Sequence, residues 1–256
     1  MSNIKSAFKN GKAFIGFLTA GDPDLKTTKE CIIAMAEAGA DLIQIGIPFS
    51  DPIAEGSVIQ NSNIRALISA THIENIFETL KSVRTKTDIP VVFHTYINPV
   101  FNYGYEAFFK DCNNTNVGGI IIPDLPFEEK KEIQQYTDKY NIDIISLIAP
   151  TSVSRIRTIA MDAEGFVYIV LSRGTTKVGN EIITEVESIV KLVKEVTQIP
   201  VAIGFGINTP EQAKYFSQIA DGVIVGSSIV KIVEKYGKDS PEYVYDYVQK
   251  MKKAIS

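Results

Sequence analysis

Short apolar runs alternate with longer amphipathic segments along the whole chain. The runs are Ala13–Thr19, Leu42–Ile47, Val91–Thr95, Gly119–Ile122, Asp143–Ile148, Phe166–Leu171, Val201–Gly204 and Gly222–Val225. They are rich in Val and Ile and apolar at consecutive positions, the pattern of strands buried on both faces in a parallel sheet. Between them, Lys26–Ala38, Phe127–Tyr140, Ser152–Ala163 and Glu185–Thr197 carry apolar residues at helical spacing. About eight strand–helix units in 256 residues match the size of a (β/α)8 TIM barrel. A doubly wound open sheet is the runner-up. No Pro/Ser/Gly-rich linker or composition shift divides the chain, so residues 1–256 are read as one domain.

Composition narrows the partners. Net charge is −4, without a basic block, which argues against a nucleic-acid or anionic-membrane surface. The N-terminus has no apolar signal core and no run reaches membrane-spanning length, so a cytoplasmic protein is expected. The only cysteines, Cys31 and Cys112, lie in helix-like segments and read as buried, reduced thiols. No metal or cofactor is expected.

In a barrel of this kind, reactive groups sit on the loops that follow the strands. Two of those loops point to phosphate. Gly204-Phe-Gly206 follows the seventh run. Gly226-Ser227-Ser228 follows the eighth and opens a helix over Ile229–Lys235. Glycines let backbone N–H groups approach an anion, the helix start adds partial positive charge, and Ser227 adds a hydroxyl. One pair alone would read as tight turns; two on consecutive strands favour phosphate. Glu55 sits on the loop after the second run, where a carboxylate acts as a base or holds a ring N–H. On spacing alone, the ordinary reading of Glu55 as a solvated or helix-capping residue leads. Asp51, between Ser50 and Pro52, reads as a turn residue.

The segments Phe17-Leu-Thr-Ala-Gly-Asp-Pro23, Gly46-Ile-Pro-Phe-Ser-Asp-Pro52, Ala54-Glu-Gly56, Asn98-Pro-Val-Phe101, Pro123-Asp-Leu-Pro126, Gly204-Phe-Gly-Ile207 and Gly226-Ser-Ser-Ile-Val-Lys231 occur in this order. Together with Tyr96 they resemble the tryptophan synthase α-subunit family over essentially the whole chain. The resemblance implies a lyase of tryptophan biosynthesis. It cleaves indole-3-glycerol phosphate to indole and glyceraldehyde 3-phosphate and passes indole to a pyridoxal-phosphate-dependent β subunit. It places Gln44, Glu55 and Tyr168 at catalytic positions, and His94, at the mouth end of the third strand, is a further catalytic candidate. Tyr96, Thr176, Lys177, Gly206, Gly226 and Ser227 fall at substrate- or phosphate-binding positions. Pro48, Phe49, Asp51 and Asn98 fall on the β-facing surface.

The departures from the family pattern carry as much information as the matches. The family's proton-transfer glutamate falls on Gln44, and an amide relays no protons. Losing such a group costs roughly 10²–10⁴-fold in rate. Restoring a glutamate at position 44 is expected to recover cleavage. The family's aspartate that holds the ring N–H is here Glu55, which keeps the charge. Gly174-Thr-Thr-Lys177 stands where the family has Gly-Val-Thr-Gly, so Lys177 either binds phosphate or blocks its cradle. Ser57 replaces a proline. His94 replaces an apolar residue of the indole pocket; a core histidine and a functional one are equally consistent with its place. Three outcomes follow: a lyase impaired at Gln44; a diverged paralogue using His94 and Glu55 on another phosphorylated molecule; or a silent subunit that regulates a β-type partner.

Overall fold

The computed structural model describes residues 4–170 and 180–256. Among them are nine parallel strands: β1 (Ala13–Thr19), β2 (Leu42–Gly46), β3 (Val91–His94), β4 (Val117–Ile121), β5 (Asp143–Ile144), β6 (Ser146–Ile148), β7 (Val167–Ile169), β8 (Val201–Ile203) and β9 (Gly222–Val225). Their order in the sheet is β5-β4-β3-β2-β1-β9-β8-β7-β6. The two ends of that order are adjacent in the chain, with only Ile145 between them. Ile145 N–H donates to the carbonyl of Ile120 at 2.9 Å, so the backbone runs through as one stave. The apolar run Asp143–Ile148 is therefore a single barrel position that pairs with β4 through its first half and β7 through its second. Eight staves make a nearly closed TIM barrel, and the open-sheet alternative is set aside. Leu171, the last residue of the sixth apolar run, lies outside the described residues.

The double-sided burial that marked the strands reflects two distinct cores. Outward-facing side chains such as Phe14, Ile43, Phe93 and Ile203 pack under the surrounding helices. Inward-facing ones, including Ile15, Leu42, Val92, Ile121, Ile145 and Ala202, fill the barrel. Each fully buried Ile, Leu or Val is worth about 1.5–3 kcal/mol relative to exposure. The N-terminal turn Ile4–Phe8 closes the bottom: Ile4 is fully buried, and the Phe8 ring lies 5.7 Å from that of Phe166. Cys31 and Cys112 are buried and unbridged. Among the described residues, no helix is long and apolar enough to cross a membrane.

Local chemistry sets where the helices begin. Asp24 accepts from Thr27 N–H at 2.7 Å and starts the helix Leu25–Glu37. Thr209 and Gln212 form a reciprocal capping box with Pro210 inside the first turn of Pro210–Ile219. The start Ser227–Tyr236 differs, because its cap residue is Gly226 and no side chain caps it among the described residues. At the barrel mouth, Arg65 grips both oxygens of buried Asp22 at 2.8 Å and also bonds Glu234 at 2.8 Å. This ties the loop after β1 to the helices Ser57–Ile68 and Ser227–Tyr236.

Candidate active site

Strand parity builds the site. Side chains two apart share a face, so Gln44 follows Leu42, His94 follows Val92, Tyr168 follows Phe166 and Phe17 follows Ile15 into the barrel. These four form the uppermost layer of the interior. Phe17 pairs in register with Gln44, and Gly46 with His94.

Gln44 is 1% exposed, and its Nε2 lies 2.5 Å from His94 Nδ1. On the other side of the imidazole, Nε2 is 3.1 Å from Glu55 Oε1. That contact is close but off the line of a hydrogen bond. Phe17 stands edge-on to the imidazole at 5.9 Å between ring centres. Gln44 Oε1 is buried and meets no donor among the described residues. The structure thus brings Gln44, His94 and Glu55 into one line across the mouth. The His94 ring is therefore not enclosed by apolar side chains alone, and Glu55 is turned toward it rather than out into solvent.

Tyr168 is buried in the same layer. Burial, and then the charge of Glu55, hold its hydroxyl well above the ordinary tyrosine range, so it stays a neutral phenol. It lies 3.5 Å from the carbonyl of Gly204, a long contact. A β-carbon at Gly204 would sit 2.5 Å from the Tyr168 ring, so a larger residue there would displace Tyr168.

The loop bearing Glu55 is held from below. Tyr96 Oη accepts from Ala54 N–H at 3.0 Å and its ring stacks on Phe49 at 5.2 Å. Phe49 N–H donates to Asn63 Oδ1 at 2.8 Å. Thus Tyr96 positions the loop through its hydroxyl. Pro48 is buried and Phe49 half-buried, while Asp51 and Asn98 are exposed beside Ile53 (73% exposed) and Phe101 (62% exposed). Asp51 accepts from the Ser50 hydroxyl at 2.5 Å, as a turn residue does.

Further round the mouth, with β1 between β9 and β2, the loops after β8 and β9 lie next to each other because their strands pair. Gly206 has φ +59°, the left-handed region, and open space where a β-carbon would project. Gly226 precedes the uncapped helix start, where Ser227 is exposed. Tyr247 joins the two loops: its hydroxyl donates to the Asn208 carbonyl at 3.1 Å and contacts the Ser228 hydroxyl. Thr176 and Lys177 lie outside the described residues.

Two residues of this architecture went unassigned in the sequence reading. Phe17 was legible from its parity with Ile15. Asn63 carried no local signal, because its role depends on a helix folding back against Phe49.

A (β/α)8 barrel with a histidine, a carboxylate and two glycine loops gathered at the mouth defines the class of TIM-barrel enzymes. The profile of the family described as tryptophan synthase alpha chain matches residues 2–256. The chain is 46% identical over 255 residues to the tryptophan synthase alpha chain of Lacticaseibacillus casei, covering 100% of this chain and 96% of that one. It is 48% identical over 224 residues to that of Caldanaerobacter subterraneus subsp. tengcongensis, covering 88% and 86%. Among solved structures, the tryptophan synthase subunit alpha of Legionella pneumophila superposes with a TM-score of 0.90 at 31% identity, covering 100% and 98%. The subunit from Campylobacter jejuni superposes at 0.88 and 30% identity, covering 98% and 99%. The chain belongs to the tryptophan synthase alpha chain family.

Proposed function

We propose that this protein is a carbon–carbon lyase that cleaves indole-3-glycerol phosphate to indole and glyceraldehyde 3-phosphate. The observation that carries this reading is the placement of Glu55 beside His94 on the same mouth as the two glycine loops. The phosphate sits against the backbone of Gly206 and Gly226 and the hydroxyl of Ser227, where an uncapped helix start favours an anion. The indole lies over Phe17 and Tyr168. The second carboxylate oxygen of Glu55 takes the ring N–H, whose nitrogen becomes positive as the ring carbon is protonated. Tyr96 keeps the Glu55 loop in place through Ala54.

The exposed side chains of Ile53, Phe101, Asp51 and Asn98 flank the mouth and offer the surface for a β-type partner that consumes indole. Pro48 and Phe49 shape that surface from beneath. Two unbridged buried thiols suit a reducing, cytoplasmic setting. The test is direct. The purified chain is incubated with indole-3-glycerol phosphate, and indole and glyceraldehyde 3-phosphate are quantified. Equimolar release supports the reading; folded protein that releases neither, with or without a β subunit, overturns it.

A further inference from the structure

Gln44 cannot relay a proton, and Tyr168 is kept a neutral phenol by its burial and by Glu55. Proton transfer in the cleavage therefore needs another group at the mouth. We infer that His94 is that group, that its Nε2 carries the moving proton, and that the Gln44 amide carbonyl holds Nδ1 in its protonated form. This rests on the lyase reading and supplies the acid and base which that reading lacks.

The geometry carries the assignment. Among the described residues, the imidazole has one polar neighbour at each nitrogen, Gln44 at 2.5 Å from Nδ1 and Glu55 at 3.1 Å from Nε2. The two ends of a glutamine amide are alike in shape. A 2.5 Å contact suits an oxygen accepting from Nδ1–H better than two facing nitrogens, because short bonds are those to charged or strongly polarised partners. With the carbonyl turned to the ring, the Gln44 oxygen gains a donor, and the amide nitrogen takes the buried position that the oxygen leaves. A ring protonated at both nitrogens then has an acceptor at Nδ1 and a carboxylate 3.1 Å from Nε2. Nδ1–H is fixed by Gln44. Nε2–H, out of line with Glu55, is the one free to move toward a substrate.

The proton balance closes on this one side chain. Nε2–H gives its proton to ring carbon three, whose π electrons form the new C–H bond, and positive charge passes to the ring nitrogen held by Glu55. The neutral Nε2 then accepts the proton of the hydroxyl on the adjacent side-chain carbon. As that O–H breaks, a carbonyl forms. The carbon–carbon bond to the ring breaks with it, and its electron pair returns to the ring. His94 ends as it began, and no water, oxidant or reductant is consumed. Gln44 acts as a positioning residue, and a neutral amide leaves the imidazole free to cycle.

The experiment combines kinetics on indole-3-glycerol phosphate with ¹⁵N-histidine NMR. His72 is the only other histidine, so the His94→Asn variant assigns the resonances. His94→Leu and His94→Asn are expected to lose kcat by roughly 10²–10⁴-fold with KM within a few-fold. Circular dichroism checks that both variants fold. The parent is expected to show Nδ1 protonated, and Gln44→Met to lower kcat about tenfold and shift that resonance toward mixed tautomers. Unchanged kcat in both His94 variants overturns the role of His94. An unprotonated Nδ1 in the parent overturns the role of Gln44. A folded parent with protonated Nδ1 but no cleavage overturns the lyase reading itself, and the transfer role falls with it.

Discussion

Restoring the family's carboxylate at position 44 is the most informative single change, because the inferred proton path through His94 leads to the opposite outcome from the one expected from sequence. Gln44→Glu is isosteric, so packing is unaltered. What changes is charge at a site 1% exposed and 2.5 Å from His94 Nδ1. The imidazole then lies between two carboxylates, the one introduced at position 44 and the resident Glu55. Two unit charges about 4 Å apart attract by about 4 kcal/mol at an effective dielectric near 20. Part of that is offset by desolvating the new carboxylate, leaving about 2–3 kcal/mol of extra hold on the imidazolium. His94 must become neutral to accept the hydroxyl proton, so this hold adds to the barrier. At 1.36 kcal/mol per tenfold, kcat falls roughly 30–150-fold. Removing the histidine as well frees the new carboxylate, so Gln44→Glu/His94→Leu should turn over faster than Gln44→Glu alone. The assay is steady-state indole release, with urea melts to confirm that each variant folds. If Gln44→Glu alone matches or exceeds the parent, His94 does not cycle and the proton path is wrong.

Further expectations concern the phosphate end, the loop ties and the buried thiols. Gly206→Asp and Gly226→Asp should abolish calorimetric binding of glycerol 3-phosphate. Gly206→Asp meets no described residue within 4 Å of the new β-carbon, and the left-handed backbone costs about 1–2 kcal/mol. Unchanged affinity in either variant would remove the phosphate assignment. Arg65→Met should lower stability by about 2–3 kcal/mol, because Asp22 is 4% exposed and loses both bonds; partial exposure of Arg65 keeps the figure below that of a fully buried pair. A urea midpoint shift too small for about 1 kcal/mol would contradict this. Gly204→Ala forces Tyr168 aside from a 2.5 Å approach and should cost about 1–3 kcal/mol while slowing cleavage; wild-type stability would show that the barrel top yields freely. Burial pushes the Cys31 thiol up to about 11, and Cys112 also lies above the ordinary range. Both folded-state values exceed those of the unfolded chain. Below about pH 9 the thiols therefore contribute nothing; above it the unfolded chain ionises first and stability falls. Native protein at about pH 8 should resist thiol reagents, and prompt labelling of both cysteines would refute their burial.

The barrel was legible because parallel strands buried on both faces leave a contiguous apolar signature, seen in β1 from Ala13 to Thr19 with every residue buried. One run hid a detail: Asp143–Ile148 is continuous in sequence yet pairs with different neighbours on either side of Ile145. Pairing is a property of the closed ring and leaves no local mark. The candidate residues were legible by type, but their alliance was not. Glu55 and His94 are 39 positions apart in sequence, and only the curl of the loop held by Tyr96 and Asn63 brings them within 3.1 Å. Nothing in the spacing of Gln44 and His94 shows that the two side chains meet; the register of β2 and β3 brings them together.

The central claim is that this chain breaks a carbon–carbon bond with protonation at ring carbon three. Cleavage of indole-3-glycerol phosphate in deuterium oxide, followed by mass and NMR analysis of the indole, tests it most directly. The expected result is one deuterium at carbon three of each indole, released in equal amount with glyceraldehyde 3-phosphate. Folded protein that yields no indole above background, or indole without deuterium at carbon three, would contradict the account.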